Sequence, residues 1–293
     1  MLICVCVKQT PDSASVYIDP ISGKLDVERF VQVLNPADAC AVEAAVRLKE
    51  QLGASIQVIT LGPLDAEGAL RAALALGADS AVRLWHPQAA EWGPATVAAA
   101  LGAYLSNGSM LPDLVLCGDS ASDWSSGIVG PTLAERLDLP QITGVNQIAA
   151  IPEGDKVTFR VTRKLERGYR EILAAQLPLL ITVTSDLNEP RYPSLPAHVA
   201  ALRASIPVHD PLPLLATTDY EEVEETVLLE MHIPRPRARR IAAPQSQHSA
   251  FERIGEIIAG GATGRQTRLV EGTNEELAMV LVQFLRDKGF LEQ

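Results

Sequence analysis

Aromatic residues make up only 4% of the 293-residue chain, and histidine occurs 5 times. So few rings leave no stacking platform for single-stranded nucleic acid. Basic charge is also scarce, with 25 Lys and Arg against 36 Asp and Glu, a net charge of −11 and a pI near 5.0. A polyanionic partner is therefore not expected, and nucleic acid is set aside. No apolar run reaches the roughly 18 residues needed to cross a bilayer, so no direct membrane insertion is predicted. The catalytic patterns G-x-S-x-G, H-E-x-x-H and C-x-x-C are missing. So are the nucleotide fingerprints G-x-G-x-x-G and G-x-x-x-x-G-K-[ST]. The five histidines (His86, His198, His209, His232, His248) lie near prolines or in loops and read as surface residues. Cysteine is limited to Cys4, Cys6, Cys40 and Cys117, each in an apolar context. All four read as reduced and structural, which fits a cytoplasmic protein. Cys4 and Cys6 share one strand face, but further ligands for a C-x-C metal site are absent, so no metal is expected. No catalytic residue is predicted.

What the chain does have is a regular alternation. Hydrophobic residues reach 47%, ample for a core. Residues 2–8 read as a buried first strand rather than a signal peptide, since no basic segment precedes the apolar stretch. Residues 16–34 form an extended excursion, with turns at Ile18-Asp19-Pro20 and Ser22-Gly23-Lys24. Asn35, Pro36 and Asp38 mark a helix start, with Asn35 as N-cap, and Gly53 marks its end. Strands at 56–61, 81–85 and 113–117 then alternate with helices at 65–76 and 94–106, and a helix follows from Thr132 to Asp138. This is the grammar of a doubly wound, mostly parallel α/β sheet. After Pro140 the pattern becomes that of strands joined by turns, at 143–150, 156–164, 169–176 and 178–184. An antiparallel hairpin region is expected there, with Leu179 to Val183 rejoining the central sheet. Residues 188–216 are rich in proline and read as an ordered loop, a short helix and a linker. The acidic run 219–225 and the basic cluster Arg235, Arg237, Arg239 and Arg240 read as solvated segments. A loose stretch at 242–266 precedes a last amphipathic helix, Asn274 to Lys288. The expected division is an α/β domain at 1–232 and a C-terminal arm plus helix at 233–293.

The most informative stretch is Cys117-Gly118-Asp119-Ser120-Ala121-Ser122-Asp123-Trp124-Ser125-Ser126-Gly127-Ile128-Val129-Gly130-Pro131. An apolar run leads in and a helical pattern leads out. In open parallel sheets, ligands bind where strand ends feed such turns. Free N–H groups, an electropositive helix start and adjacent hydroxyls suit a phosphate. A plain surface loop is the alternative. A phosphate-friendly turn with no acid, base or nucleophile points to holding a nucleotide rather than cleaving a substrate.

At this point the residues match a family along nearly the whole chain. The matching segments are Val5-Cys6-Val7-Lys8-Gln9, Asn35-Pro36-Ala37-Asp38, Ala41 to Glu50, Leu61-Gly62-Pro63, Arg71 to Asp79 and the 113–141 turn. Most specific is Leu177-Pro178-Leu179-Leu180-Ile181-Thr182-Val183, followed by Leu187-Asn188-Glu189-Pro190-Arg191-Tyr192-Pro193-Ser194-Leu195-Pro196. The chain resembles the beta (small) subunit of electron-transfer flavoproteins. The resemblance implies the fold of the adenine nucleotide alpha hydrolase-like group. It also implies a heterodimer with an alpha subunit, an FAD shared with that subunit, and an AMP held by beta. Such a heterodimer carries electrons from flavin dehydrogenases of the acyl-CoA type, as in fatty acid beta-oxidation, toward a quinone oxidoreductase. The implied nucleotide positions are Cys6, Lys8, Asn35, Pro36, Ala37, Asp38, Leu61 and Gly118 through Val129. Within the last stretch these are Gly118, Asp119, Ser120, Ala121, Ser122, Asp123, Trp124, Ser125, Ser126, Gly127, Ile128 and Val129. Arg191, Tyr192 and Leu195 fall in the segment that resembles the family's docking loop, with Leu195 as apolar anchor. The chain departs from the family turn at Ser125, Ser126 and Ile128. The excursion Ile18-Asp19-Pro20-x-x-Gly23-x-Leu25 is closer to the electron-bifurcating branch, in which a second FAD replaces AMP and NADH is oxidised. A reading of another class, a nucleotide-binding regulatory protein without redox duty, remains beside these.

Overall fold

Leu2–Cys6 (β1) is apolar on both faces and almost wholly buried. Such a strand can only lie inside a sheet covered on both sides. The computed structural model describes residues 1–17, 19, 30–107, 111–153, 156–216, 249–251, 253–254 and 272–287. After β1 come the short Gln9–Pro11 (β2) and Gln32–Leu34 (β3), which pair antiparallel. Pro36–Leu52 (α1) leads to Ser55–Leu61 (β4), Glu67–Leu76 (α2), Ser80–Leu84 (β5), Pro94–Asn107 (α3), Leu114–Gly118 (β6) and Val129–Arg136 (α4). Three strands follow, Gln141–Glu153 (β7), Lys156–Lys164 (β8) and Arg170–Gln176 (β9), then Leu179–Val183 (β10). Leu195–Arg203 (α5), Val208–His209 (β11) and Leu212–Leu215 (α6) complete this part, and Asn274–Asp287 (α7) lies near the C-terminus. The chain divides into two compact units, Met1–Met231 and His232–Gln293.

The main sheet has nine strands in the order β11-β5-β4-β1-β6-β10-β7-β8-β9. From β11 to β7 every neighbouring pair is parallel, and β7-β8-β9 is antiparallel. The expected α/β class, with a mostly parallel sheet and an antiparallel hairpin region, is therefore observed. So is the return of 179–183, which lies between β6 and β7 with all five residues buried. Two cores flank the sheet. One packs Ala41, Ala45 and Leu48 of α1 and Leu70 and Ala73 of α2 against Ile3, Val5 and Val58. The other packs Leu101 and Leu105 of α3 and Leu133 of α4 against Cys4, Cys6, Val115 and Cys117. Cys4 and Cys6 thus share a face, as their spacing predicts.

The order also reverses. From β1 the chain winds outward through β4 to β5, then crosses back to lay β6 on the other side of β1. The crevice between the carboxyl ends of β1 and β6 is the switch point of the sheet, where open α/β folds place their ligands.

Some expectations need correction. Asn35 precedes α1, but its side chain does not cap the helix. It is engaged elsewhere, as described below. The helix after the long turn begins at Val129, before the Thr132 read from the sequence, because α4 packs its Gly130 directly against the sheet. The Pro-rich segment also supplies β11, which adds in parallel to β5 at the sheet edge. That two-residue strand is too short to carry a periodic signal. Ile18 and 20–29, which hold most of the predicted excursion, lie outside the described residues. So do 154–155, the acidic run 219–225, the basic cluster 235–240 and most of 242–266.

In the second unit, Thr273 and Glu276 form a reciprocal cap at the start of α7. The Thr273 N–H donates to Glu276 Oε2 at 2.9 Å, and the Glu276 N–H donates to Thr273 Oγ1 at 3.4 Å. This is a capping box of the Thr-x-x-Glu type, a local signal that the sequence reading did not use.

Candidate functional site

Three strand ends and one helix start meet at the switch point. Residues Lys8 and Gln9 follow β1, Leu61 ends β4 with Gly62 after it, and Gly118 ends β6. Asn35 to Asp38 begin α1 and pass beneath the turn that leaves β6.

Asp38 is the centre of this arrangement. Its carboxylate accepts the Lys8 N–H at 2.8 Å through Oδ2 and the Gly118 N–H at 2.8 Å through Oδ1. The residue is only 5% exposed. Burial pushes its carboxyl up to about 6, although the two N–H groups, Asn35 and the charge on Lys8 all pull the other way. Gly118 is required by this closeness. A Cβ there would lie 2.4 Å from Asp38 Oδ1 and 2.8 Å from Ala37 Cβ.

Asn35 binds the turn from below. Its Nδ2 donates to the Ser120 carbonyl at 3.0 Å, and its Oδ1 accepts the Ser122 N–H at 3.1 Å. An amide side chain fits this double task, because it carries a donor and an acceptor on one plane. Ser122 Oγ and Thr10 Oγ1 are 2.9 Å apart, with Thr10 fully buried. Lys8 Nζ pairs with Asp123 Oδ2 at 2.6 Å. The Asp119 N–H donates to the Val183 carbonyl at 2.8 Å, which ties the turn to β10. Burial raises the Asp119 carboxyl above its ordinary value.

The first half of the turn therefore spends its polar groups inward, on residues 8, 10 and 35. The second half does not. Trp124 is 72% exposed, and Ser125, Ser126 and Ile128 are exposed. Ser125 and Gly127 adopt left-handed backbone conformations, with φ of 50° and 65°. Ile128 precedes α4 and offers no side-chain cap, so the first N–H groups of α4 have no such acceptor. Gly130 brings that helix start down on the sheet, since a Cβ there would lie 2.6 Å from Thr182 Cγ2 and 3.0 Å from Cys117 Sγ. The arrangement combines a short backbone cradle, an uncapped helix start and one Lys. It can hold an anionic group through N–H donors.

The remaining predicted residues are placed as follows. Cys6 is buried with its side chain in the sheet core, so only its backbone faces this end of the strand. Its thiol is pushed up well above its ordinary value by a hydrogen bond with Cys4, and then by burial. Leu61 packs partly against two cores, Pro36 opens α1, and Ala37 is buried beneath Gly118. Ala121 accepts the Ser125 N–H at 2.8 Å, and Val129 is the first residue of α4.

Arg191, Tyr192 and Leu195 lie elsewhere, on the segment running from β10 into α5. Arg191 is tied to α1. Its Nε donates to Glu43 Oε2 at 2.8 Å and its Nη1 to Glu50 Oε1 at 2.6 Å. Tyr192 is 96% and Leu195 75% exposed. Leu195, Val199 and Leu202 follow helical spacing along α5 and are all exposed. Arg71 of α2 secures the other end of that helix, its Nη1 lying 2.8, 2.9 and 3.2 Å from the carbonyls of Ala201, Leu202 and Ala204.

Sequence reasoning missed Thr10, Glu43 and Arg71. Thr10 has its partner far away in the chain, and Arg71 has both distant carbonyl partners and a local one, Glu67 one helical turn earlier, at 2.9 Å. Glu43 carried one local signal, Arg47 at the next helical turn, whose Nε donates to it at 2.6 Å. Among the described residues no group of acidic, His or Cys side chains could hold a metal ion, and no helix is long and apolar enough to cross a membrane.

Residues 25–213 match the model of the electron transfer flavoprotein domain. The chain is 37% identical over 274 residues to the electron transfer flavoprotein subunit beta of Thermoanaerobacterium thermosaccharolyticum, covering 94% of this chain and 98% of that one. It is 32% identical over 259 residues to the protein FixA of Azotobacter vinelandii, covering 86% and 91%. It is 40% identical over 196 residues to the caffeyl-CoA reductase-Etf complex subunit CarD of Acetobacterium woodii, covering 67% and 72%.

Proposed function

The chain belongs to the electron transfer flavoprotein family, as a beta subunit, and on that premise we propose that it pairs with an alpha subunit as a cytoplasmic electron carrier. In this reading an FAD is shared with the alpha subunit, and the turn from Gly118 to Val129 cradles an AMP. Bound FAD supplies the redox chemistry. The chain's own residues hold and orient the nucleotide and present a docking face. Electrons pass from flavin dehydrogenases of the acyl-CoA type toward a quinone oxidoreductase.

The observation that carries the reading is the convergence at the switch point. Asp38 joins the ends of β1 and β6, Asn35 holds the turn, and Gly118 lacks the Cβ that would strike Asp38 and Ala37. Backbone N–H groups, rather than a cluster of cations, would carry the phosphate. The acidic surroundings (Asp38, Asp119, Asp123) leave Lys8 as the nearby cation, and it already pairs with Asp123. The docking face would be the exposed row Tyr192, Leu195, Val199 and Leu202 on a segment braced at both ends. Exposed apolar anchors on a rigid support lose little entropy on binding. The C-terminal unit, 232–293, would pack on the alpha subunit.

A second reading places a second FAD where AMP is proposed, with NADH as donor. The relative in a caffeyl-CoA reductase complex favours it, since that protein is named for a complex with a CoA-thioester reductase. One experiment separates the two. The chain is co-expressed with its alpha subunit, and the nucleotides released on denaturation are counted. One FAD with one AMP supports the first reading, and two FADs support the second. A chain that binds no alpha subunit and releases no nucleotide overturns both.

A further inference from the structure

The parallel ladder between β1 and β6 ends at Cys6 opposite Cys117. One residue beyond Cys117 and two beyond Cys6, the N–H groups of Gly118 and Lys8 turn to one acceptor, the Asp38 carboxylate. We infer that Asp38 is a positioning residue of the nucleotide cradle, which fixes the gap between the ends of β1 and β6 and does not itself touch the nucleotide. This rests on the nucleotide reading above and revises the role the family resemblance implies for this position.

The geometry supports it in three ways. Both carboxylate oxygens are already occupied by backbone donors, and the residue is nearly enclosed. Gly118 descends so far that even a Cβ would strike Oδ1, so the turn rests on this side chain. Asn35, one helical turn-start earlier, holds the next part of the same turn at Ser120 and Ser122. Asp38 sets where the turn begins, and Asn35 sets its path. As a direct contact Asp38 would have the wrong sign, since a buried carboxylate repels a phosphate.

The charged and titratable groups around Asp38 are Lys8 after β1, Cys6 in β1, and Cys117 and Asp119 at the end of β6. Burial and neighbouring groups push both thiols well above their ordinary values, so they stay neutral. The Asp119 carboxyl is raised by burial as well. Asp38, raised to about 6, changes charge within reach of neutral pH. The sign of the linkage is useful. A folded value above the ordinary 3.8 means that this group adds to folding stability as pH falls through about 6. A loss of nucleotide in that window is then not caused by Asp38 unfolding the chain. A proton on one oxygen turns an acceptor into a donor facing an N–H, and one of the two ties is lost.

The test uses the complex with the alpha subunit, with AMP and FAD as separate probes. Affinities are measured from pH 7.5 to 5.5 for wild type and Asp38→Asn. Removing a negative charge near an anion would by itself tighten binding. Positioning predicts the reverse, a weakening of about tenfold, the size of one charge-assisted hydrogen bond. It also predicts that wild-type affinity falls more steeply with acid than that of the variant, which still shares the phosphate's own titration. Unchanged or tighter binding by Asp38→Asn, or parallel pH profiles, would overturn the inference. A second measurement needs no variant. The amide 15N shifts of Lys8 and Gly118 in wild type should move together with one midpoint near 6, and separate midpoints or flat shifts count against it. Failure of wild type to bind either probe at any pH would instead refute the nucleotide reading itself.

Discussion

Replacing Glu43 with alanine should cost about 2–3 kcal/mol of folding stability and loosen the segment that enters α5. The Glu43 side chain is 2% exposed. It accepts four hydrogen bonds, from the Arg191 N–H at 3.2 Å, Arg191 Nε at 2.8 Å, Arg191 Nη2 at 3.2 Å and Arg47 Nε at 2.6 Å. Removing one partner of a buried ion pair costs about 3–5 kcal/mol. Here the side chains of Arg191 and Arg47 are 37% and 55% exposed, so water recovers part of their solvation and the loss is smaller. Burial raises the Glu43 carboxyl, but the hydrogen bonds from Arg191 and Arg47 outweigh it and hold the group below its ordinary 4.5. A depressed folded value contributes stability above the unfolded one, which is lost as pH falls through the folded value. The penalty of Glu43→Ala should therefore be constant from about pH 6 to 8 and shrink in acid below about 4.5. Urea unfolding of wild type, Glu43→Ala, Arg191→Ala and the double variant gives the coupling, expected at about 1–2 kcal/mol. Additive single variants, or a penalty independent of pH down to strong acid, would refute the reasoning.

Three further substitutions probe the packing around the site, the end of α1 and the hold on α5. Gly130→Ala places a methyl 2.6 Å from Thr182 Cγ2 and should destabilise by about 1–3 kcal/mol while weakening nucleotide retention, because α4 must lift off the sheet. Gly53→Ala is the contrast: its φ is 69° and nothing lies within 4 Å of the added carbon. Thermal unfolding should show a cost of about 1 kcal/mol from the left-handed backbone alone, with nucleotide binding unchanged. Arg71→Ala removes the donor shared by three carbonyls at the end of α5. Hydrogen exchange of the amides of the α5 C-terminal turn should quicken while that of α1 is unmoved. Equal exchange in the variant and wild type would show that Arg71 does not secure this helix.

Much of this molecule is legible in the chain because its elements carry local signals. β1, β6 and β10 are short apolar runs, and α1 announces itself with Pro36 and ends at Gly53 in the left-handed conformation. The long turn after β6 stands out by its Gly and Ser content, and its place after a strand suffices to suspect a ligand. α7 is marked by its amphipathic pattern from Asn274 onward. These are contacts within one or two turns of chain, where spacing alone decides what can meet.

What only the tertiary structure decided is which of these residues face one another. Asn35 reads as a helix cap, because caps are local. It ties the turn instead, through partners 85 and 87 residues away. For Asp38 the sequence shows an acidic residue in the first turn of α1, and only the fold brings to its two oxygens the amides 30 and 80 residues away. Arg191 reads as part of an exposed loop, yet it is bound to a buried carboxylate 148 residues away. They depend on the order β1-β6-β10, which sets β1 beside a strand more than a hundred residues later and brings the segment after β10 next to α1. A sequence fixes the period and the punctuation of its elements, but long-range hydrogen bonds exist only once the sheet has chosen its neighbours.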